Sequence, residues 1–554
     1  MNHCRSLKCV CLFLTSAITV FGGPCSGIDV GSSLYGHVSW HGFVPGTATS
    51  TFRQDITNAA VDPQSATWLN LLAVSNHGTV FPQNSVYITD IAFGGNAWPG
   101  FQVHYVHGNT QRRMVVRDNP AWGKTGADGA IVNGSTTLTV TVWSNIQGRQ
   151  VSAFIPTDVG LQINIAGAGV GGGTLITFIA SVTDSTHVAL STAASATVTG
   201  ALVQVAPRES YPGDSDPGTF PAPYAPRIQS WYGPFSRPWD SVFLDRYSSP
   251  SDQHLFIVDV DNCLGYEAYA CYDDGSNLSC GAYAAYYLAG GDLQRPYDIT
   301  GGASVSGMPM LFGLLRYDEF TAGAIPHALG ITALAGQTTP AFTGAASHAQ
   351  CCGGWTTSHI PFGAKLRLKS RFDSSSFPAS CTPLLNEFKT YGLIVYDGGA
   401  TADIYQQTNY NWPYDCAYAM YSSLFVNTAN FDVIQTNGIY CGAGTSGCPN
   451  SRPAGNPPVI SSFTASPSFV QLGQSTILYW QVSGVVDVDG KPIPMRNISY
   501  GAGNKFGPGW IDGPANNESI LVTPQSPGTY VYQLMVQNRF GRAKAYATVT
   551  VLGQ

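Results

Sequence analysis

Four side chains suited to acid–base chemistry lie within one stretch of this 554-residue chain. Glu267, Asp318 and Glu319 carry carboxyl groups, and His327 carries an imidazole. Hydrolysis of a glycosidic bond needs two carboxyl groups, one that stays protonated to donate to the leaving oxygen and one that is ionised. We predict Glu267 and Glu319 as this pair, with Asp318 beside them and His327 adjusting their proton affinities.

Three apolar runs are expected to position these groups. Residues 254–261 read as a buried strand that ends in two acids, because apolar residues follow one another without a helical period. Residues 311–320 read as a second strand and residues 325–332 as a third. Only 11% of the chain is charged, so this density of ionisable groups on apolar strands favours a functional site.

The second strand sets the expected directions of its side chains. Neighbouring residues of an extended strand point to opposite faces, so Arg316 and Asp318 share one face and Tyr317 and Glu319 share the other. An ion pair between Arg316 and Asp318 is the ordinary structural outcome. Glu319 is then the freer acid, and Tyr317 can orient it.

A second group of residues is expected to contact the substrate. Aromatic faces stack on the apolar C–H faces of sugar rings, although the same aromatics could simply cover the core. Asp397, at the end of a later strand, could instead tune the catalytic acids. The predicted substrate-binding residues are Arg316, Tyr317, Trp239, Trp355, His348 and Asp397.

Asp259 and Asp261 are the weak candidates for a metal site. They share one face of their strand, and hard carboxylate oxygens suit calcium. The alternative is that they cap loops. Apart from calcium, the sequence predicts no cofactor.

The composition favours an all-β protein. The chain has 62 glycines, 35 prolines and 12% aromatic residues, which is typical of many short strands joined by tight turns. We expect a β-sandwich or jelly-roll-like core. The net charge of 26 − 33 = −7 argues against nucleic acid or an anionic membrane as partner.

Two elements beyond the acids are clear in the sequence. Residues 365–369 alternate basic and apolar side chains, which predicts a strand with its basic residues facing one way. Residues 382–392 form the best helix pattern, with Thr382 as cap, Pro383 in the first turn and Gly392 as the stop.

The N-terminus has the pattern of an export signal. Arg5 and Lys8 precede an apolar run at 10–20 and then small residues, so we predict a signal peptide over 1–24 and a secreted, extracellular protein without membrane insertion. Its removal leaves ten of thirteen cysteines, which favours disulfides over zinc. The candidate pairs are Cys263–Cys271 or Cys271–Cys280, Cys381–Cys416 and Cys441–Cys448.

The remaining chain divides by composition. Residues 121–206 lose almost all acids and become rich in Thr, Val and Gly, which predicts a β-module inserted into a β-rich domain formed by 25–120 and 207–447. We expect that domain to be the catalytic one. Residues 448–457 are a Gly/Pro-rich linker. Residues 458–554 show the strand spacing of an immunoglobulin-like sandwich.

Several short motifs carry a resemblance. The runs 259–262 (DVDN), 266–267 (YE), 313–319 (GLLRYDE), 325–329 (IPHAL) and 391–397 (YGLIVYD) resemble a group of large secreted bacterial β-rich proteins of unassigned function. These proteins occur alongside polymer-degrading repertoires. The run 458–467 resembles the start of bacterial Ig-like modules appended to secreted enzymes.

Together these patterns predict a secreted enzyme that degrades an extracellular polysaccharide, most simply a glycoside hydrolase. Two alternatives stay open. A polysaccharide lyase would use Tyr317 or His327 as base and Arg316 to neutralise a uronate. A non-catalytic glycan-binding or adhesion protein would need only the β-modules and exposed aromatics, and it is favoured if Glu267, Glu319 and His327 do not converge in one cleft.

Overall fold

The computed structural model describes residues 25–32, 38–74, 81–83, 101–107, 112–115, 124–145, 154, 162–205, 215–228, 254–349, 354–399, 402–484, 496–500 and 519–553, with short gaps inside several of these ranges. Short strands in several sheets dominate the described chain, and helices are few and short. The predicted all-β class is confirmed. The predicted signal peptide lies outside the described residues.

A five-stranded sheet holds the first of the apolar runs. Its middle strand is buried along its whole length and pairs parallel to one neighbour and antiparallel to the other. Both faces of this sheet are covered by apolar side chains, which explains why the strands read as continuous apolar runs. In spatial order the strands are Gly31–Ser32, Val103–Val106, Leu255–Asp259, Leu264–Tyr269 and Ala282–Tyr287.

A six-stranded sheet packs on the other side of the main core. The strands Leu329–Ala333 and Leu393–Gly398 pair in parallel at its centre, and the chain between them includes the helix Thr382–Thr390. Parallel pairs in both large sheets distinguish this core from an antiparallel jelly roll. In spatial order the strands are Phe81–Gln83, Asp403–Tyr405, Leu329–Ala333, Leu393–Gly398, Lys365–Leu368 and Phe431–Val433.

The two large sheets share one apolar core. Val103 and Phe256 of the first sheet belong to the same buried cluster as Ile331 and Val395 of the second. Smaller elements surround this core. These are the strand pairs Arg112–Val115 with Thr219–Ala222 and Tyr272–Asp273 with Leu278–Ser279, the three-stranded sheet Ile360–Phe362, Thr338–Phe342 and Tyr440–Cys441, the α-helices Ser65–Val74, Tyr317–Thr321 and Tyr414–Ser423, and the 3-10 helices Thr51–Arg53, Met310–Phe312 and Ala379–Cys381.

The Thr/Val-rich segment forms a sheet of its own around a separate core. Because Val198–Val205 also pairs with Lys124–Ile131, six of its seven strands close on one another as a barrel. Closure leaves those strands without free edges. In spatial order the strands are Val198–Val205, Gln162–Ile165, Leu175–Val182, His187–Leu190, Thr137–Thr139, Lys124–Ile131 and Trp143–Asn145, and the 3-10 turn Val170–Gly172 lies between two of them.

The C-terminal segment is a β-sandwich of a three-stranded and a four-stranded sheet. Side chains from both sheets, including Trp480 and Tyr532, form its core, as in immunoglobulin-like domains. The first sheet contains Val459–Ser466, Thr476–Ser483 and Ser519–Val522, and the second contains Phe469–Gln471, Gly541–Leu552, Gly528–Asn538 and Arg496–Tyr500.

Arginine contacts attach this sandwich to the rest of the molecule. Arg539 donates to the carbonyl oxygens of Ala345 (3.0 Å) and Gly344 (3.3 Å), and also to that of Ala346. Its guanidinium lies 4.5 Å from the ring centre of Tyr297. In the predicted linker, Arg452 forms a two-pronged ion pair with Asp298. The sandwich is therefore docked, with buried polar contacts at the junction.

Four disulfides cross-link the described chain. Cys271–Cys280, Cys381–Cys416 and Cys441–Cys448 confirm predicted pairs. Cys263 bonds to Cys25, 238 residues earlier, so the alternative Cys263–Cys271 pair is wrong. Cys351 and Cys352 lie outside the described residues. Among the described residues, no helix is long and apolar enough to cross a membrane.

Candidate functional site

Glu267 lies in the centre of the strand Leu264–Tyr269, and its side chain is completely buried. Its two carboxyl oxygens accept hydrogen bonds from the backbone N–H groups of Met310 (2.9 Å) and Leu311 (2.8 Å). These residues begin the 3-10 helix Met310–Phe312, whose first N–H groups have no partner within the helix. Glu267 therefore accepts hydrogen bonds from N–H groups that would otherwise be unpaired at the buried start of this helix.

The environment of Glu267 also changes its proton affinity. Burial raises the pKa of Glu267 to about 8, against the lowering effects of the two N–H groups and of the charge on Arg295. The negative charge of Asp397 adds to the increase. At neutral pH this carboxyl is mostly protonated, which is the property that a general acid needs.

The segment around Glu319 differs from the prediction. Residues 311–320 are not a strand, because the 3-10 helix Met310–Phe312 is followed by a one-residue bridge at Leu315 and the short helix Tyr317–Thr321. Two acids in the first turn suit a helix start, since they face the unpaired N–H groups there. The third expected strand is shorter as well, and begins at Leu329.

Glu319 is not a free acid. It accepts the backbone N–H of Arg316 (3.0 Å) and pairs with the guanidinium of the same residue. His327 Nε2 lies 3.0 Å from its Oε1. Burial alone would raise the pKa of Glu319, but the charge of Arg316 and the contact with His327 outweigh it and hold this pKa below its usual value. The predicted Arg316–Asp318 pair is wrong, because in a helix positions 316 and 319 lie on the same side.

The network continues to the N-terminal segment. The guanidinium of Arg316 stacks 4.5 Å from the ring centre of Trp40. Asp318 accepts the backbone N–H of Trp40 (2.7 Å). Tyr317, expected to orient Glu319, instead packs edge-on against Trp412. The buried Arg316, Glu319 and His327 and the half-buried Asp318 thus form one network that joins distant parts of the chain.

Asp259 and Asp261 serve a turn. Asp259 accepts the backbone N–H groups of Asp261 (3.1 Å) and Asn262 (3.3 Å), together with the Asn262 side-chain amide (2.8 Å). Asp261 binds the ring of His107 (2.7 Å). The loop-capping alternative accounts for these contacts. Within the described ranges, no three His, Cys, Asp or Glu side chains are grouped so as to hold a metal ion.

The remaining predicted substrate-binding residues that the structure describes make contacts within the fold, and two of them meet at the backbone of Val305. Asp397 is buried and accepts hydrogen bonds from Val305 N–H (2.8 Å) and the Tyr405 hydroxyl (2.9 Å). His348 Nδ1 lies 2.8 Å from the carbonyl oxygen of Val305. Trp355 packs, half-buried, against the main core. Trp239 lies outside the described residues.

The predicted catalytic pair is therefore divided between two buried networks. Glu267 is tied to the 3-10 helix and influenced by Asp397, whereas Glu319 is tied to Arg316 and His327. No contact between described residues joins the two carboxyls directly. His327 and Glu319 do meet, as expected, although in the interior.

An open cleft of about 480 Å³ lies elsewhere on the main domain, at the edge of the six-stranded sheet. It lies where the strand Lys365–Leu368 leads into the following turn, between the end of the helix Thr382–Thr390 and the edge strand Phe431–Val433. We call it the cationic cleft, because four of its side chains are positively charged and one is negatively charged. It is lined by Thr57, Arg367, Leu368, Lys369, Ser370, Arg371, Lys389, Thr390 and Asp432.

The sequence contained a partial signal for this cleft. The alternation at 365–369 correctly predicted a strand with basic residues on one side. What it could not supply is the partner segments, because Thr57, Lys389 and Asp432 come from three other parts of the chain. Lys365, on the same face, is buried away from the cleft, and burial lowers its pKa to about 8.

Comparison with known proteins gives no family. No family model and no curated protein matches the chain. Among solved structures, a chimeric titin Z1Z2 protein has 18% identity over 18% of this chain and 99% of its own, with a TM-score of 0.15. A titin M10–obscurin-like 1 Ig complex has 26% identity over 18% of this chain and 98% of its own, with a TM-score of 0.13. Phage phi92 endosialidase has 16% identity over 36% of this chain and 29% of its own, with a TM-score of 0.12. Scores this low carry no functional argument.

Proposed function

We propose that the protein is a secreted polysaccharide-binding protein and that its ligand site is the cationic cleft. The observation that carries this proposal is an open cleft of about 480 Å³ in which eight of the nine lining residues have polar or charged side chains. That volume lies within the usual range for a ligand site. Hydroxyl and cationic side chains are suitable donors to the many oxygens of a sugar chain.

The positions of the acids support a binding role over a hydrolytic one. Glu267, Glu319 and His327 are buried, and each has a structural hydrogen-bond partner. The four disulfides are compatible with export, because such bonds persist in oxidising compartments.

The test is retention of the purified, disulfide-intact protein on a panel of neutral and acidic polysaccharides in affinity gel electrophoresis. Ser370→Trp places a large side chain in the cleft without changing its charge, and Ser451→Trp is the matched change at an exposed serine outside it. We expect at least a tenfold loss of affinity with the first variant and none with the second. Retention on no polysaccharide, or equal retention by both variants, would refute the proposal.

A glycoside hydrolase is the second candidate, and one observation favours it. The pKa of Glu267 is raised to about 8, and the negative charge of Asp397 contributes to the increase; such enzymes use one protonated and one ionised carboxyl. Release of reducing ends from any polymer in the panel, abolished by Glu267→Gln in a folded variant, would replace the binding proposal with this one. Release that survives Glu267→Gln and Glu319→Gln would exclude both predicted acids.

A further inference from the structure

We infer that the cationic cleft selects acidic polysaccharides, and that Arg371 and Lys389 bind the carboxylate or sulfate groups of the ligand. This inference rests on the proposed function and specifies its ligand class. Two of the four cations in the cleft, Arg367 and Lys369, are paired with a carboxylate of the protein, whereas Arg371 and Lys389 are not.

Arg367 and Lys369 belong to the wall of the cleft. Arg367 Nη1 donates to the carbonyl oxygens of Ile56 (2.8 Å), Thr57 (2.9 Å) and Ala59 (2.8 Å). These bonds attach the N-terminal segment to the sheet. The guanidinium is therefore fixed by the fold.

Asp432 occupies the space between these two cations. Its carboxylate lies 3.5 Å from Arg367 Nη2 and 3.4 Å from Lys369 Nζ. Lys369 Nζ also donates to the carbonyl oxygen of Thr428. One carboxylate thus faces two cations, and these three side chains retain a charge of +1.

Arg371 and Lys389 add two charges that no carboxylate of the cleft lining balances. Arg371 is exposed and makes no hydrogen bond or ion pair with any described residue. Lys389 is half-buried, and its Nζ has one weak contact, 3.4 Å from the carbonyl oxygen of Phe372. A guanidinium presents a planar fork of donors that matches a carboxylate or sulfate in a two-pronged pair.

The backbone that carries Arg371 is held in place by contacts within the protein. The turn after the strand Lys365–Leu368 is closed by the bond from Phe372 N–H to Lys369 O (2.9 Å). Phe372 packs on Phe377 with their ring centres 5.7 Å apart. A binding site fixed before the ligand arrives loses less entropy on binding.

The local charge contrasts with that of the whole chain. The four cations and one acid of the cleft give a local charge of +3, whereas the chain carries −7. A negative protein repels a polyanion except at such a patch, so an acidic polymer is expected to bind at the cleft. None of the described residues that line the cleft is aromatic, so it lacks the stacking surfaces that sites for single-stranded nucleic acid combine with their cations. This favours a uronate- or sulfate-bearing polysaccharide.

The experiment measures the affinity of the full, disulfide-intact chain for polygalacturonate, dextran sulfate, unmodified dextran and single-stranded DNA at two salt concentrations. The charge-reversal variants are Arg371→Glu and Lys389→Glu. Lys544→Glu is the control, because Lys544 is exposed on the C-terminal sandwich, outside the cleft lining. Circular dichroism verifies that each variant is folded.

We expect polygalacturonate or dextran sulfate to bind, and each cleft variant to weaken that binding at least tenfold while Lys544→Glu does not. Tighter binding of polygalacturonate would identify carboxylate as the group recognised, and tighter binding of dextran sulfate would identify sulfate. Binding to dextran as tight as to the acidic polymers, unchanged by charge reversal, would overturn the inference but leave polysaccharide binding intact. Tighter binding to DNA would overturn the inference in favour of nucleic acid. Binding to none of the four, or acidic-polymer binding that the cleft variants leave within twofold, would also overturn it.

Discussion

At the scale of residues, the acids that stand out in the sequence make hydrogen bonds and ion pairs that hold the fold together. Glu267 accepts the N–H groups of a helix start, Asp259 closes a turn, and Glu319 is paired with Arg316 and His327. Buried charged groups of this kind contribute little net stability as a pair, but the removal of one partner leaves the other uncompensated. Two predictions concern these residues.

The first prediction is that Glu319→Gln destabilises the protein by roughly 3–5 kcal/mol, because the buried Arg316 guanidinium loses its counter-charge. Urea unfolding of the disulfide-intact protein measures the free energy of unfolding. The exposed Asp373→Asn change keeps its turn hydrogen bond to Ser375 and serves as control, with an expected loss within about 0.5 kcal/mol. Equal losses in the two variants would contradict the assignment.

The second prediction concerns the pH dependence contributed by Glu267. Its folded-state pKa is raised to about 8, so between pH 5 and 8 the folded state holds a proton that the unfolded state has released. The free energy of unfolding should therefore fall as pH rises, by up to about 1.4 kcal/mol per pH unit for one such group. Glu267→Gln should remove this slope.

The control for that measurement is the exposed Asp373→Asn change. Because hydrogen bonds with Ser375 lower the pKa of Asp373, its contribution is present above the unfolded-state pKa and is lost only as pH falls further. Between pH 5.5 and 8 the unfolding profile of Asp373→Asn should therefore run parallel to that of the wild type. A Glu267→Gln profile that is also parallel would show that Glu267 does not titrate in this range.

At the scale of elements, the helix Thr382–Thr390 was the best predicted feature. Pro383 in its first turn and Gly392 after its end were correctly identified, although Thr382 is the first helical residue and the cap position is Cys381. The strand predicted over residues 311–320 was the clearest failure. The apolar composition of this segment suited a strand. In the structure, however, the N–H groups at the starts of two short helices donate to the buried carboxylates of Glu267 and Glu319, and these hydrogen bonds form only when the segment is helical.

A third prediction follows for the end of the helix. Gly392 has φ +75°, and a Cβ there would lie 2.2 Å from the carbonyl oxygen of Leu366. Gly392→Ala should cost at least about 3 kcal/mol and displace Lys389 from the cationic cleft. Gly444→Ala is the control, because it has φ +72° but nothing within 4 Å of the added carbon, and it should cost about 1–2 kcal/mol. Thermal unfolding compares the two, and similar losses would disprove the clash.

At the scale of the whole molecule, the chain combines a two-sheet core, a small closed barrel and a C-terminal sandwich. The sandwich is attached through Arg539, which is buried at the junction and donates to three carbonyl oxygens of the core domain. Attachment through several backbone acceptors favours unfolding of the two parts together.

The fourth prediction is that Arg539→Ala uncouples them. We expect one calorimetric transition in the wild type and two in the variant, since the sandwich has its own core. Lys544→Ala, an exposed change on the strand Gly541–Leu552 that follows Arg539, should keep a single transition. A single transition in Arg539→Ala at an unchanged temperature would show that other contacts hold the sandwich in place.

The sequence alone determined the features that depend on short-range patterns. Alternation of side chains, turn residues and cysteine spacing predicted the all-β class, a β-module in the Thr/Val-rich segment and the C-terminal sandwich. They also predicted two of the four disulfides, and a third as one of two alternatives. These properties follow from the strand period of two and from loops short enough to close locally.

Only the tertiary structure decided which charged residues are buried and which face solvent. Cys25 reaches Cys263 over 238 residues, and the cationic cleft assembles four separate segments around Arg371. Acidic residues beside apolar runs look alike in sequence whether they face a ligand or fill a buried network. Solvent exposure and the pKa values that depend on it are set by neighbours far away in the chain, and no local pattern encodes those neighbours.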